Sequence, residues 1–202
     1  VAASDGTNST TQGVTISVTD VNEAPSFSSS ATFSAAENQT SIGGVSVNDP
    51  EGASLTYSLS GSDASLLAIS SSGVLSFASA PDFETKSSYT ATVAASDGTN
   101  STTQGVTISV TNVNDIPVAT AASYFMNLLP KSQTAGFITL AGTDEDGNTL
   151  TYSIVSNGIY GTASLSGTTV TYQTSASTQS AQSESFTFKV NDGTVDSSAA
   201  TI

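Results

Sequence analysis

The stretch VAASDGTNSTTQGVTISVT, residues 1–19, returns letter for letter as residues 93–111. Its closing half, Val106-Thr107-Ile108-Ser109-Val110-Thr111, alternates apolar and polar, the period of a strand with one face buried. Asp97-Gly98 in its middle is turn chemistry, because both residues tolerate unusual backbone angles. The stretch therefore reads as strand, turn, strand. Its recurrence after 92 residues marks a domain-sized repeat. Residues 1–23 are expected to be the last two strands and linker of a preceding repeat. Residues 24–116 then form one full domain, and residues 117–202 a second, divergent one.

The same alternation runs outward through Leu55–Ser60, Tyr89–Val93, Leu150–Val155 and Phe186–Val190, while no segment keeps a helical period over three turns. Turn residues punctuate the chain every 8–12 residues, among them Gly43-Gly44, Pro50-Glu51-Gly52, Asp146-Gly147 and Asp192-Gly193. Short strands at that spacing predict an all-β chain of tandem Greek-key β-sandwiches, about seven strands each. Two short linkers ending in proline correspond: Asp20-Val21-Asn22-Glu23-Ala24-Pro25 and Asn112-Val113-Asn114-Asp115-Ile116-Pro117.

Composition excludes several classes of function. The 202 residues carry 17 acids against three lysines, a net charge of −14. A nucleic-acid partner is not expected, since binding along phosphates needs Lys and Arg. With no Cys and no His, disulfides, thiolate sites and His general bases are impossible. No apolar run approaches the roughly 20 residues of a membrane-spanning helix, so no membrane insertion is expected. No charged-then-apolar leader opens the chain, which reads as the interior of something longer. Ser and Thr supply 69 residues and fill the outward strand positions.

The acids are patterned. Asp20, Asn22 and Glu23 sit in the first linker, and Asn112, Asn114 and Asp115 in the second. Asp49-Pro50-Glu51 and Asp144-Glu145-Asp146 each precede an expected strand. Asp97 and Asp192 each sit in a strand-ending turn with Gly, as does Asp5. Glu37 lies early in the full domain, and Asp82-Phe83-Glu84 precedes the strand at Tyr89. Only Asp63, Glu184 and Asp196 fall outside this pattern and read as ordinary structural acids. Each motif alone is common turn sequence. Together they supply the carboxylate, amide and backbone oxygens that a hard divalent cation needs, six to eight of them for Ca2+.

At these residues the chain resembles a cadherin repeat. Ala36-Glu37-Asn38, Asp49-Pro50-Glu51, Asp82-Phe83-Glu84 and Asp97 resemble that family's early Glu, Asp-x-Asp, Asp-x-Glu and late Asp motifs, and the linkers resemble its Asp-x-Asn-Asp-Asn-Ala-Pro, one residue short. Residues 117–202 resemble the cadherin-like or immunoglobulin-like repeats of large secreted bacterial adhesins. The resemblance implies Ca2+ at interdomain linkers and a calcium-stiffened extender region of the RTX-adhesin type. It implies an extracellular, cell-surface location on a Gram-negative bacterium and contact with flanking repeats of the same chain.

The second joint would draw on Glu37, Asp82, Glu84, Asn112, Asn114, Asp115, Asp144, Asp146 and Asp192. The first would draw on Asp20, Asn22, Glu23, Asp49, Glu51 and Asp97, and more ions are expected at the second. Three departures stand out: Asn112 replaces an acid, both linkers lack one Asn, and the last domain has no early Glu or Asp-x-Glu. Residues 1–19 are expected to make a homophilic or strand-exchange contact, because two strands without a sandwich are marginal in water. No enzymatic activity is expected, because the acids fall at domain ends rather than in a cleft. The alternative is a calcium-dependent carbohydrate-binding module, disfavoured by the lack of Trp.

Overall fold

A computed structural model of the chain describes residues 1–124, 135–174 and 183–202. Its contacts divide the chain into two compact units, Val1–Thr111 and Asn112–Ile202. Residues 112–116, read from the sequence as the close of the 24–116 domain, go with the second unit. Residues 1–23 go with the first.

The first unit holds β1 (Ala2–Ser4), β2 (Ser9–Thr11), β3 (Ser26–Phe27), β4 (Thr32–Ala36), β5 (Ser41–Gly44), β6 (Val47–Asn48), β7 (Thr56–Ser60), β8 (Leu67–Ile69), β9 (Val74–Phe77), β10 (Ser88–Ser96) and β11 (Ser101–Thr111). One sheet runs β4-β11-β10-β7 and another β5-β9-β8, with β3-β6 as a separate pair. β11 pairs antiparallel with β10 and parallel with β4. The alternation read in the sequence is the burial pattern: Tyr89, Ala91, Val93 and Ala95 of β10 and Val106, Ile108 and Val110 of β11 are buried. All but Ala95 share one core with Leu67, Leu75 and Phe77, with the Phe77 and Tyr89 rings edge to face at 5.0 Å.

β1 and β2 form a hairpin of their own, three residues to a strand. The expected second strand does not extend through Val14, Ile16 and Val18, which stand exposed. The reason is missing company: no sheet flanks this hairpin among the described residues, so lengthening it would bury nothing.

The second unit holds β12 (Val118–Thr120), β13 (Ala135–Thr139), β14 (Ala141–Thr143), β15 (Thr151–Ser156), β16 (Gly161–Ser166), β17 (Thr169–Thr174), β18 (Thr187–Asn191) and β19 (Ala200–Thr201). Its sheets run β13-β17-β16 and β15-β18-β19, with β12-β14 as a pair. Ile138, Leu140, Val170, Tyr172, Phe186, Phe188 and Val190 form its core. Stacked pairs Tyr152–Phe188 and Tyr172–Phe186 fill it. The expected all-β architecture of tandem sandwich-type units is the one observed. Among the described residues no helix is long and apolar enough to cross a membrane.

The three acids outside the motif pattern have structural partners. Asp63 accepts from Lys86 Nζ at 2.5 Å and from Thr90 N–H. Asp196 is held by Lys189 and Asn191. Glu184 accepts from the Tyr172 hydroxyl and Tyr160 N–H. Burial first, then the Glu184 carboxylate, pushes the Tyr172 hydroxyl far up, so it stays protonated as the donor.

Candidate metal centres

In the first unit, a local turn sets the scene. Gly98 adopts φ +97°, which a residue with a Cβ resists, and this curls Asp97-Gly98-Thr99-Asn100 back on itself. Asp97 Oδ1 then accepts the N–H groups of Thr99 and Asn100, both at 2.6 Å. Its other oxygen accepts from Asn22 Nδ2 at 2.9 Å, which brings the linker to the turn. The Asn22 amide and then the turn N–H groups hold the Asp97 carboxyl below its ordinary range. Glu23 N–H donates to Glu51 at 3.2 Å. Carboxylate oxygens of Asp20, Glu23 and Glu51 lie within 4.8 Å of one another. Glu51 titrates above its ordinary value, chiefly through its contact with Glu23. Asp49 spends Oδ1 on the Ala53 N–H at 2.9 Å, while its Oδ2 is buried and makes no hydrogen bond.

The opposite end of the same unit carries a separate cluster. Glu37 is 3% exposed, and its N–H donates to the carbonyl of Thr111 at the end of β11. Eleven residues of strand separate this end from the Asp97 turn, roughly 30 Å at the usual rise. Glu37 Oε2 accepts the Phe83 N–H at 2.7 Å, and Asn38 N–H bonds the Pro81 carbonyl. Asp82 caps its own turn through Thr85. Oxygens of Glu37, Asp82 and Glu84 lie within 4.8 Å of one another.

The second unit repeats the first arrangement. Asp192 Oδ1 accepts from Thr194 and Val195 N–H, and its Oδ2 from Asn114 Nδ2 at 2.8 Å. The Asn114 amide first, then the turn N–H groups, lowers its pKa. Asp146 accepts from Asn112 Nδ2 and from Asp115 N–H, both at 2.7 Å. Asp144 gives Oδ1 to the Asn148 N–H, and its Oδ2 is buried without a partner.

The structure thus joins sequence-derived residues in three sets: Asp20, Asn22, Glu23, Glu51 and Asp97; Glu37, Asp82 and Glu84; Asn112, Asn114, Asp115, Asp146 and Asp192, with Asp49 and Asp144 two residues before Glu51 and Asp146 in the chain. All offer hard oxygen donors of the kind calcium takes. The fit is sharpest at Asp49 and Asp144. A buried carboxylate oxygen with no partner is costly and asks for a cation. Sequence reading missed Asn100, whose Nδ2 donates to the Asn22 carbonyl at 3.0 Å and pins the first linker. The signal was its place in the Asp-Gly-Thr-Asn turn; the second unit has Val195 there.

The carbohydrate alternative turned on an exposed aromatic pair. Tyr124 and Tyr160 are 47% and 38% exposed, and Tyr124 is tied by its hydroxyl to the Thr139 carbonyl.

Residues 114–202 match the bacterial Ig domain family. The fold is that of cadherin extracellular domains. Human protocadherin-24 EC1-2 form II superposes with TM-score 0.63 at 20% identity, covering 90% of this chain and 97% of that one. Drosophila N-cadherin EC1-4 gives 0.59 at 22%, covering 89% and 48%. Mouse cadherin-23 EC22-24 gives 0.57 at 19%, covering 90% and 65%. No curated protein matches the chain. The chain is therefore a tandem of cadherin- and Ig-like β-sandwich units, bearing acidic clusters able to hold a metal.

Proposed function

We propose that this chain is a structural extender segment of a secreted cell-surface adhesin of a Gram-negative bacterium, stiffened by Ca2+ at its linkers. Its role is mechanical rather than enzymatic: it holds a distant binding domain away from the cell. The observation that carries the reading is the repeated orphan. Asp49 Oδ2 and Asp144 Oδ2 are each buried and unpaired at the same place in an all-oxygen set beside a linker. The bacterial Ig match over residues 114–202 supports the bacterial surface setting.

Under this reading, Glu37, Asp82 and Glu84 share calcium with Asn112, Asn114, Asp115, Asp144, Asp146 and Asp192. Thr111, whose carbonyl accepts the Glu37 N–H, is bonded directly to Asn112. The other set, Asp20, Asn22, Glu23, Asp49, Glu51 and Asp97, serves the first linker in the same way. Bound calcium supplies charge neutralisation, and the protein supplies the oxygens and the turns that hold them. Affinity belongs in the extracellular range, about 10⁻⁴–10⁻³ M. Small-angle scattering tests the reading: the wild-type particle should be longer and less variable in calcium than in chelator. Unchanged length and stiffness in chelator would overturn it.

A further inference from the structure

The first unit, Val1–Thr111, carries ten carboxylate side chains and a single cationic one, Lys86. That lysine stands two residues after Glu84 and four after Asp82, on the loop that supplies both to the set with Glu37. Its N–H donates to the Asp82 carbonyl at 2.9 Å, a bond that closes one helical turn. Residues four apart on such a turn carry neighbouring side chains, which puts the Asp82 carboxylate within reach of the ammonium. Yet Lys86 turns the other way. Its Nζ meets Asp63 Oδ1 at 2.5 Å and lies 4.8 Å from the centre of the Tyr89 ring. Asp63 is built to receive it. Its side chain is 13% exposed, its Oδ2 accepts the Thr90 N–H at 2.9 Å, and its own N–H donates to the Thr90 carbonyl. Lys86 first, then the Thr90 N–H, holds the Asp63 carboxyl below its ordinary range.

We propose that Asp63 is a positioning residue that sequesters Lys86, keeping the one cationic side chain of this unit off the Glu37, Asp82 and Glu84 set so that a divalent cation can occupy it. The proposal rests on the calcium reading of that set. An ammonium among these three carboxylates would cancel part of the charge that draws calcium, and affinity follows ligand charge. It would also have to be displaced before the ion bound. Asp63 wins the lysine because its carboxylate is already oriented by Thr90 and shielded from water, with an aromatic face beside it, whereas Glu84 is exposed. A charge-assisted bond is stronger in the first setting than in the second. The same pair also ties the loop to the segment before β8, so anchoring and sequestration must be told apart.

The amides of Phe83 and Thr85 report on this set, because Glu37 Oε2 holds the first at 2.7 Å and Asp82 Oδ1 the second at 2.9 Å. Amide-resolved NMR spectra of the full chain are recorded in chelator and through a calcium titration, for wild type, Asp63→Asn and Asp63→Asn/Lys86→Gln. Asp63→Asn keeps an oxygen for the Thr90 N–H but releases the ammonium. In chelator, Asp63→Asn should shift both amides, and the double variant should return them to their wild-type positions. In the titration, Asp63→Asn should bind calcium about three- to tenfold more weakly at these amides, and the double variant should come within about twofold of wild type. If the ion pair only anchored the loop, removing both partners would do at least as much harm as removing one. Single and double variants that behave alike, in either buffer, would therefore overturn the proposal. Wild-type amides indifferent to calcium would overturn the calcium reading instead, while the chelator spectra still decide whether Asp63 holds Lys86 off the set.

Discussion

Six positions recur around the two linkers, and they differ in charge. Asp20, Asn22, Glu23, Asp49, Glu51 and Asp97 stand in the first unit where Asn112, Asn114, Asp115, Asp144, Asp146 and Asp192 stand in the second. The hydrogen bonds run in parallel. Asn22 reaches Asp97 as Asn114 reaches Asp192, and Glu23 N–H reaches Glu51 as Asp115 N–H reaches Asp146. The load on this common frame differs. The first set has five carboxylates, the second four, with Asn112 in place of Asp20. The longer Glu23 and Glu51 press on each other, and Glu51 responds by holding its proton more tightly. Backbone N–H groups and Asn amides thus fix the geometry, while the identity of one side chain tunes the charge.

Removing the feature the two sets share should have the largest effect. Asp144→Asn and Asp49→Asn each take away a buried oxygen that has no protein partner. In chelator, each variant should melt at or above the wild-type temperature, because an uncompensated buried charge is gone. In calcium, each should lose the added stability that ligand binding to the folded state confers. Thermal melts with and without calcium decide it. Equal destabilisation in both conditions would make these acids purely structural.

Exchanging the feature that differs comes next. Asp20→Asn should weaken calcium binding at the first set, and Asn112→Asp should strengthen it at the second, each several-fold, because affinity follows ligand charge. Calorimetric titration reads both. No change in either direction would leave position 20/112 outside the ligand set.

The smallest effect is on pH dependence without calcium. Asp97 and Asp192 have lowered pKa values, so their contribution is present above the ordinary carboxylate pKa and is lost as pH falls through the folded value. Glu51 has the opposite sign: its raised pKa favours the protonated fold, a contribution lost as pH rises through the folded value. In chelator, Asp97→Asn and Asp192→Asn should flatten the acid limb of melting temperature against pH, while Glu51→Gln should lift the neutral plateau slightly. An acid limb unchanged in the two Asp variants would contradict the hydrogen-bond account.

The two copies of VAASDGTNSTTQGVTISVT mark how far sequence alone reaches. The turn was fully legible, because Asp-Gly chemistry is local; Gly6 and Gly98 take φ +93° and +97°. The strands were legible together with their company. Val106, Ile108 and Val110 are buried as the alternation required, and the identical Val14, Ile16 and Val18 stand exposed, as expected of two strands without the rest of a sandwich. The acidic sets were legible as motifs, since each element of the pattern recurs at a turn or linker. What the sequence concealed was division of labour within a carboxylate. It did not show that Asp49 and Asp144 spend one oxygen on a turn and keep the other free of hydrogen bonds.

The central claim is that calcium joins Glu37, Asp82 and Glu84 to the second linker set. Scattering from the Asp82→Ala/Glu84→Ala chain, in calcium and in chelator, tests it most directly. The account predicts a variant that stays folded in both units and resembles calcium-free wild type in both buffers, shorter and more variable than the calcium-bound wild type. A variant that lengthens and stiffens in calcium as wild type does would contradict it.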